Sequence, residues 1–311
     1  MAKIATREAY GEALAELGEE IKDIVVLDAD LSKSTKTTVF AKKFPERFFN
    51  VGIAEQNLMG TAAGLATCGK IPFASTFAVF ACGRAFEQIR NSICYPNLNV
   101  KIAATHAGIT VGEDGATHQS IEDIALMRSL PNMTVISPAD AVETKKAVRA
   151  AAMLKGPVYL RLGRHPVETI FDDSYEFEVG KGVVLRDGKD VALIATGIMV
   201  GESLKAAEIL ARDGIEAMVV NIHTIKPIDE EVLLKAAECK AVVTAEEHSI
   251  IGGLGSAVAE VLIEKKPVLI KRVGIRDVFG MSGKPEELMK AYGITAEDIV
   301  NAAKSLILSY K

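Results

Sequence analysis

Three observations predict an α/β fold in two domains, each with a largely parallel sheet flanked by helices. Short β-rich runs alternate with helical runs along the 311-residue chain. Each strand-to-strand connection holds a helix, as parallel pairing requires. Between about residues 163 and 190 the alternation lapses into turns and charges and then restarts. The lapse sets a boundary between about 170 and 188, giving domains at residues 1–175 and 186–311.

The elements follow in order. Thr6–Glu20 reads as a helix, with Ala9, Ala13, Leu14 and Leu17 forming an apolar stripe at helical spacing. A strand at 24–30 ends in a polar tip and a polar loop at 31–37. A strand at 48–52 runs into a helix over Glu55–Thr67 that carries Gly60 and Gly64. Each glycine costs a helix about 1 kcal/mol relative to alanine, so the pair predicts close backbone packing. Further strands fall at 71–74, 100–105, 134–137 and 158–162, with helices at 120–130 and 141–154. In the second domain, strands are predicted at 191–196, 217–222, 241–245 and 268–273, and helices at 200–212, 230–239, 254–265 and 296–308.

Composition removes several classes of function. A net charge of −5 offers no basic surface for nucleic acid. Residues 1–22 contain acids and no long apolar core, unlike a secretory signal. No apolar run approaches the roughly 20 residues of a membrane helix. Cys68, Cys82, Cys94 and Cys239 show no metal or redox spacing and read as reduced, buried thiols of a cytoplasmic protein.

In open parallel sheets, ligands bind beyond the carboxyl ends of the strands. The polar tips there are Asp28-Ala-Asp30, Ala54-Glu-Gln-Asn57, Thr105-His-Ala-Gly108 and residues 161–165. Glu55 at a helix start is, in its plainer reading, a dipole partner worth about 0.3–1 kcal/mol. Its functional reading is a buried carboxylate sharing a proton with a heterocycle nitrogen. Phe77 and Phe80, three apart, lie on one side if their segment is helical; they are either core aromatics or a stacking surface for a flat ring. The stretch from Thr105 to Gln119 holds His106, Asp114, His118 and three glycines. Such a loop belongs at the surface or against a ligand. Cysteine partners and a His-x-x-x-His helix are lacking, so it is not read as a metal site. Ser120-Ile-Glu-Asp123 resembles a helix cap. Arg7, Ser34 and Arg164 are each surface residues in the plain reading, and together a grip for a phosphate. Glu246-Glu-His248 followed by Gly252-Gly-Leu-Gly255 reads as a structural turn, because the full dinucleotide pattern is absent.

Six segments then resemble, in order, the carboxyl-terminal half of transketolases: Ala5-Thr-Arg-Glu-Ala-Tyr-Gly11, Gly52-Ile-Ala-Glu-Gln-Asn57, Ser75-Thr-Phe77, Val111-Gly-Glu-Asp-Gly-Ala-Thr-His-Gln119, Met127-Arg-Ser-Leu-Pro131 and Ser282-Gly-Lys-Pro285. The resemblance implies a thiamine-diphosphate-binding pyrimidine domain followed by a transketolase C-terminal domain. It also implies transfer of a two-carbon ketol unit from a ketose phosphate to an aldose phosphate. By the same resemblance Glu55 bonds the aminopyrimidine, Phe77 and Phe80 pack on its ring, and Asp30 lies near the cofactor. His106, Ser34, Arg7 and Arg164 hold the sugar phosphate, Asp114 reads a substrate hydroxyl, and His118 stands near the reacting carbons. Glu55, His106 and His118 are the expected catalytic residues.

Two departures accompany the likeness. Family members often carry an aromatic residue soon after Phe80, where this chain reads Ala81-Cys-Gly-Arg84. The chain also lacks the Gly-Asp-Gly and paired asparagines with which thiamine enzymes hold Mg²⁺ and the diphosphate. The expectation is therefore a split enzyme. An N-terminal partner subunit supplies Mg²⁺ and the diphosphate site, the assembly is α2β2, and neither nucleic acid nor membrane takes part. Three alternatives stay open: a deoxyxylulose-phosphate synthase half, a 2-oxoacid dehydrogenase β chain, or a non-catalytic module of the same fold.

Overall fold

A computed structural model describes residues 3–308. Its first part runs β1 (Lys3–Ala5), α1 (Thr6–Glu20), β2 (Ile24–Asp28), α2 (Ser32–Thr35), α3 (Thr38–Lys43), β3 (Phe48–Asn50), α4 (Glu55–Thr67) and β4 (Ile71–Phe77). There follow α5 (Ala78–Arg84), α6 (Phe86–Gln88), β5 (Lys101–Thr105), α7 (Asp123–Ser129), β6 (Thr134–Ile136), α8 (Ala141–Met153), β7 (Val158–Arg161) and β8 (Pro166–Glu168). The second part runs β9 (Val183–Arg186), β10 (Val191–Ala195), α9 (Met199–Arg212), β11 (Ala217–Asn221), β12 (Thr224–Lys226) and α10 (Glu230–Ala236). It ends with β13 (Ala241–Ser249), α11 (Leu254–Lys265), β14 (Leu269–Ile275), α12 (Pro285–Ala291) and α13 (Ala296–Leu308).

The sheets are largely parallel. A seven-stranded sheet has the order β12-β6-β7-β5-β4-β2-β3, and a five-stranded sheet the order β14-β13-β10-β11-β9. β2 and β10 read Ile-Val-Val-Leu-Asp and Val-Ala-Leu-Ile-Ala and are buried throughout. Continuous apolar strands of this kind are what helices on both sheet faces produce. The stripe on α1 lands as expected, with Ala9, Ala13, Leu14 and Leu17 all buried. Two aspartates set later helix starts: Asp140 accepts from the Glu143 N–H before α8, and Asp229 accepts from the Glu231 and Val232 N–H groups before α10.

Each sheet also has an antiparallel edge. β12 pairs antiparallel with β6, and β9 antiparallel with β11. Both strands went unread in the sequence, as did the small β1–β8 ribbon. Three or four residues are too few to show a period. β12 follows the second domain's β11 in the chain and yet completes the first sheet. The apolar layer is likewise shared, joining Met127, Leu130 and Ile102 to Val220, Ile222 and Leu254.

Several local expectations are corrected. β4 extends to Phe77, so Phe77 ends a strand and Phe80 lies in the first turn of α5. α7 begins at Asp123 with no side-chain cap, because Asp123 instead pairs with the buried Arg161 at 2.8 Å. Gly60 and Gly64 face open space within this chain rather than a packed neighbour. Cys68, at the end of α4, is exposed while the other three thiols are buried. The 105–119 loop is only partly at the surface: Ile109, Thr110 and Val111 are buried, and the Thr110 N–H donates to Glu247 at 2.6 Å.

Candidate active site

The residues singled out after β2, β4 and β5, with those at the start of α1 and α4, meet along one rim. Asp28 organises the first part of it. Its buried carboxylate accepts from the Leu31 N–H at 2.5 Å and from the Thr35 and Thr37 hydroxyls at 2.7 and 2.9 Å. That folds residues 31–37 back over the strand end and turns the Ser34 carbonyl toward Arg7, whose Nη1 donates to it at 3.0 Å. The Ser34 contact is thus made by its backbone. Asp30, left-handed at φ 64°, is exposed and bonds Asn50 through both backbone and side chain.

Arg7 Nη1 also lies 3.0 Å from His106 Nε2. A guanidinium has only donors, so Nε2 is the acceptor and the ring proton sits on Nδ1, donated to the Thr105 hydroxyl at 2.9 Å. Burial first, then the charges of Arg7 and Arg164, push the His106 pKa down to about 3. His106 is a neutral orienter of Arg7 and presents no free N–H to a ligand. In this arrangement its contact is with Arg7, beside the anion-facing rim. Because its charged form is disfavoured in the fold, its contribution to stability is complete above about pH 6.5 and declines as pH falls toward 3. In a histidine-labelled sample, the His106 ring is expected to keep its neutral chemical shifts down to pH 4; a midpoint above 5.5 contradicts the assignment.

Burial lowers the Arg7 pKa, and the nearby charge of Arg164 lowers it further. Arg7 Nε is buried without a partner among the described residues. Two nearby guanidiniums with an idle donor have the chemistry to take an anion. Arg164 Nη1 donates to the Val111 carbonyl at 2.6 Å and pairs with Asp114 at 3.3 Å, a half-exposed contact that holds the glycine-rich loop loosely.

An aromatic ladder continues from His106. Its ring stacks on Phe77 at 3.7 Å between centroids, and Phe77 stacks on Phe80 at 5.7 Å and 13°. His118 meets Phe80 edge-on at 5.4 Å. The handover from β4 to α5, rather than a single helix, brings the two phenyl rings to one side. Beyond Phe80 comes Arg84, its guanidinium 4.1 Å from the ring centroid, and Arg84 Nη1 donates to Glu55 Oε1 at 3.1 Å. Glu55 is the first residue of α4, 4% exposed, and opens onto a cleft of about 460 Å³ lined by Ala54, Gln56, Asn57 and Arg84. A buried carboxylate near the half-exposed Phe80 ring fits a flat, protonatable heterocycle. Among the described residues, no group of three His, Cys, Asp or Glu side chains is placed to hold a metal ion.

Three contributions were missed in the sequence. Arg84 stands in the sequence only where family members often carry an aromatic residue. Asp123, Arg161 and Tyr159 form a buried cluster under the loop, with Tyr159 donating to Asp123 at 2.8 Å. Glu247, from the second domain, pins Thr110 through its carboxylate and accepts from Arg161 through its carbonyl at 2.8 Å. The signal for Glu247 was three consecutive ionisable residues inside a strand. Glu246 beside it accepts from the Leu254 and Gly255 N–H groups at 2.6 and 2.8 Å. The chain's own carboxylate thereby fills the α11 N-terminus, and the turn is structural.

Fold and site define a two-domain α/β protein with a cleft at the strand carboxyl ends. Residues 2–168 match the model of the transketolase pyrimidine binding domain, and residues 180–299 that of the transketolase C-terminal domain. The chain belongs to the transketolase family. It is 47% identical to the 6-deoxy-6-sulfo-D-fructose transketolase subunit SqwH of Clostridium sp. strain MSTE9, over 96% of this chain and 92% of that one. Rat transketolase (Rattus norvegicus) is 40% identical over 98% of this chain, which spans 49% of it. A solved structure named as the inactive β4 tetramer of a split-gene transketolase superimposes with a TM-score of 0.92 at 63% identity, covering 98% of this chain and 99% of that one. Among the described residues, no helix is long and apolar enough to cross a membrane.

Proposed function

We propose that this chain is the C-terminal subunit of a split, thiamine-diphosphate-dependent transketolase, moving a two-carbon ketol unit from a ketose phosphate to an aldose phosphate. The observation that carries the reading is the buried Glu55 carboxylate, opening onto the cleft and linked through Arg84 to the Phe80 ring. Bound thiamine diphosphate supplies the nucleophilic carbon and the electron sink of such a reaction. Glu55 would share a proton with the pyrimidine ring nitrogen, Phe80 would offer the ring a stacking face with Phe77 packed behind it, and Asp30 would flank it. Arg7 and Arg164 take the substrate's terminal anion, with Ser34 and His106 holding Arg7 in place. Asp114 reads a hydroxyl and His118 stands at the reacting carbons.

Among the described residues no cluster of ligands is placed for Mg²⁺, and the arginine pair is taken by the substrate, so the diphosphate and its metal are assigned to an N-terminal subunit. Two facts support that division: the chain spans half of a full-length relative, and a close structural relative is named as a split, inactive β4 form. The working assembly is then α2β2, in the cytoplasm, with residues 1–175 and 186–311 as its two domains. The Clostridium relative's name includes a sulfonated ketose, and a sulfonate would meet the same arginine pair. The decisive test offers the reconstituted complex xylulose 5-phosphate, a 6-sulfonated ketose or pyruvate as donor. Ketol transfer from either ketose supports the reading. Consumption of pyruvate alone would place the chain with deoxyxylulose-phosphate synthases or 2-oxoacid dehydrogenases.

A further inference from the structure

We propose that Arg84 stands in for the aminopyrimidine ring, closing the cleft over Glu55 until coenzyme displaces it. This rests on the function proposed above and concerns how its site is regulated. The guanidinium is flat, cationic and edged with N–H donors. It makes the two contacts that a protonated aminopyrimidine would make here: an N–H to Glu55 Oε1 at 3.1 Å and a face over Phe80 at 4.1 Å. Both groups cannot occupy this place together.

The surroundings let the side chain leave while the backbone stays. The Gln56 side-chain amide donates to the Arg84 carbonyl at 3.2 Å and fixes the end of α5. The Arg84 side chain is 53% exposed against 5% for Glu55, so one partner is anchored and the other faces solvent. Apart from its chain neighbours and its own helix backbone, Gly83, just before it, has no atom within 4 Å of where a side chain would begin, leaving free volume beside the latch. The arrangement gives the buried Glu55 carboxylate a partner whenever coenzyme is absent. It also means that coenzyme binds only the fraction of molecules in which Arg84 has swung out, and apparent affinity falls by that fraction.

The test is calorimetric binding of thiamine diphosphate, with Mg²⁺, to the complex of this chain and its N-terminal subunit. Arg84→Met is expected to bind about 10-fold tighter than the natural chain, the gain that a one-in-ten open fraction gives. Arg84→Lys, which keeps the charge and loses the flat fork, is expected to gain less. If the methionine variant does not fold, the lysine variant carries the test and must still bind tighter. Equal or weaker binding by the variants overturns the latch. Glu55→Gln is measured beside them. Weaker binding there with no gain from Arg84→Met removes the latch and keeps the site, whereas unchanged binding in Glu55→Gln removes the reading of the site itself.

Discussion

Replacing Glu55 by glutamine is expected to lower ketol-transfer turnover of the reconstituted complex by about 10²- to 10⁴-fold, the range by which a positioned proton-transfer group contributes. Glutamine keeps the length of the side chain and a hydrogen bond toward the cleft. It loses the capacity to take up and return a proton. Glu55 is the buried acid on the cleft wall, and Arg84, its ionic partner, is a permanent cation that cannot shuttle one. Turnover measured at saturating coenzyme separates this loss from weakened binding. A Glu55→Gln complex with turnover within threefold of the natural one would leave the chain as a binding module of the same fold.

The second large effect is on stability. Asp123→Ala is expected to cost about 3–5 kcal/mol, because it strands the buried Arg161 guanidinium without its counter-ion. Both side chains are buried, the pair is joined at 2.8 Å, and Tyr159 donates to the same carboxylate oxygen. The loss should appear as a lower urea midpoint, with the greatest local exchange in the 105–119 loop. Arg161 also reaches the Glu247 carbonyl, and Glu247 holds Thr110, so the cluster ties the site loop to the second domain. A companion Asp123→Leu, Arg161→Met chain, with no charge left to strand, should recover much of the loss. If Asp123→Ala changes stability by less than 1 kcal/mol, the pair is not what secures the loop.

How much of this was legible depends on the range of the interaction. The α1 stripe and the buried parallel strands follow from local periodicity and were read correctly. The polar strand tips marked the rim because ligands gather at strand carboxyl ends, and the contacts do join Arg7, Ser34, His106, Phe77, Phe80, His118 and Glu55 in one chain of neighbours. What failed was non-local. The β12 strand has no period of its own and exists because β6 offers it an edge. Asp123 looked like part of a cap, yet a buried arginine 38 residues away claims it. The tautomer of His106 was equally hidden, since only the Arg7 contact reveals which nitrogen holds the proton. Gly60 and Gly64 suggested close packing that this chain does not supply.

The central claim is that this subunit holds one end of a coenzyme whose charged end another polypeptide must secure. The most direct measurement is turnover of a ketose phosphate by the purified chain with thiamine diphosphate and Mg²⁺, with and without the N-terminal subunit. The account predicts no transfer from the chain alone and transfer once the two are mixed. Ketol transfer by the chain alone would contradict it.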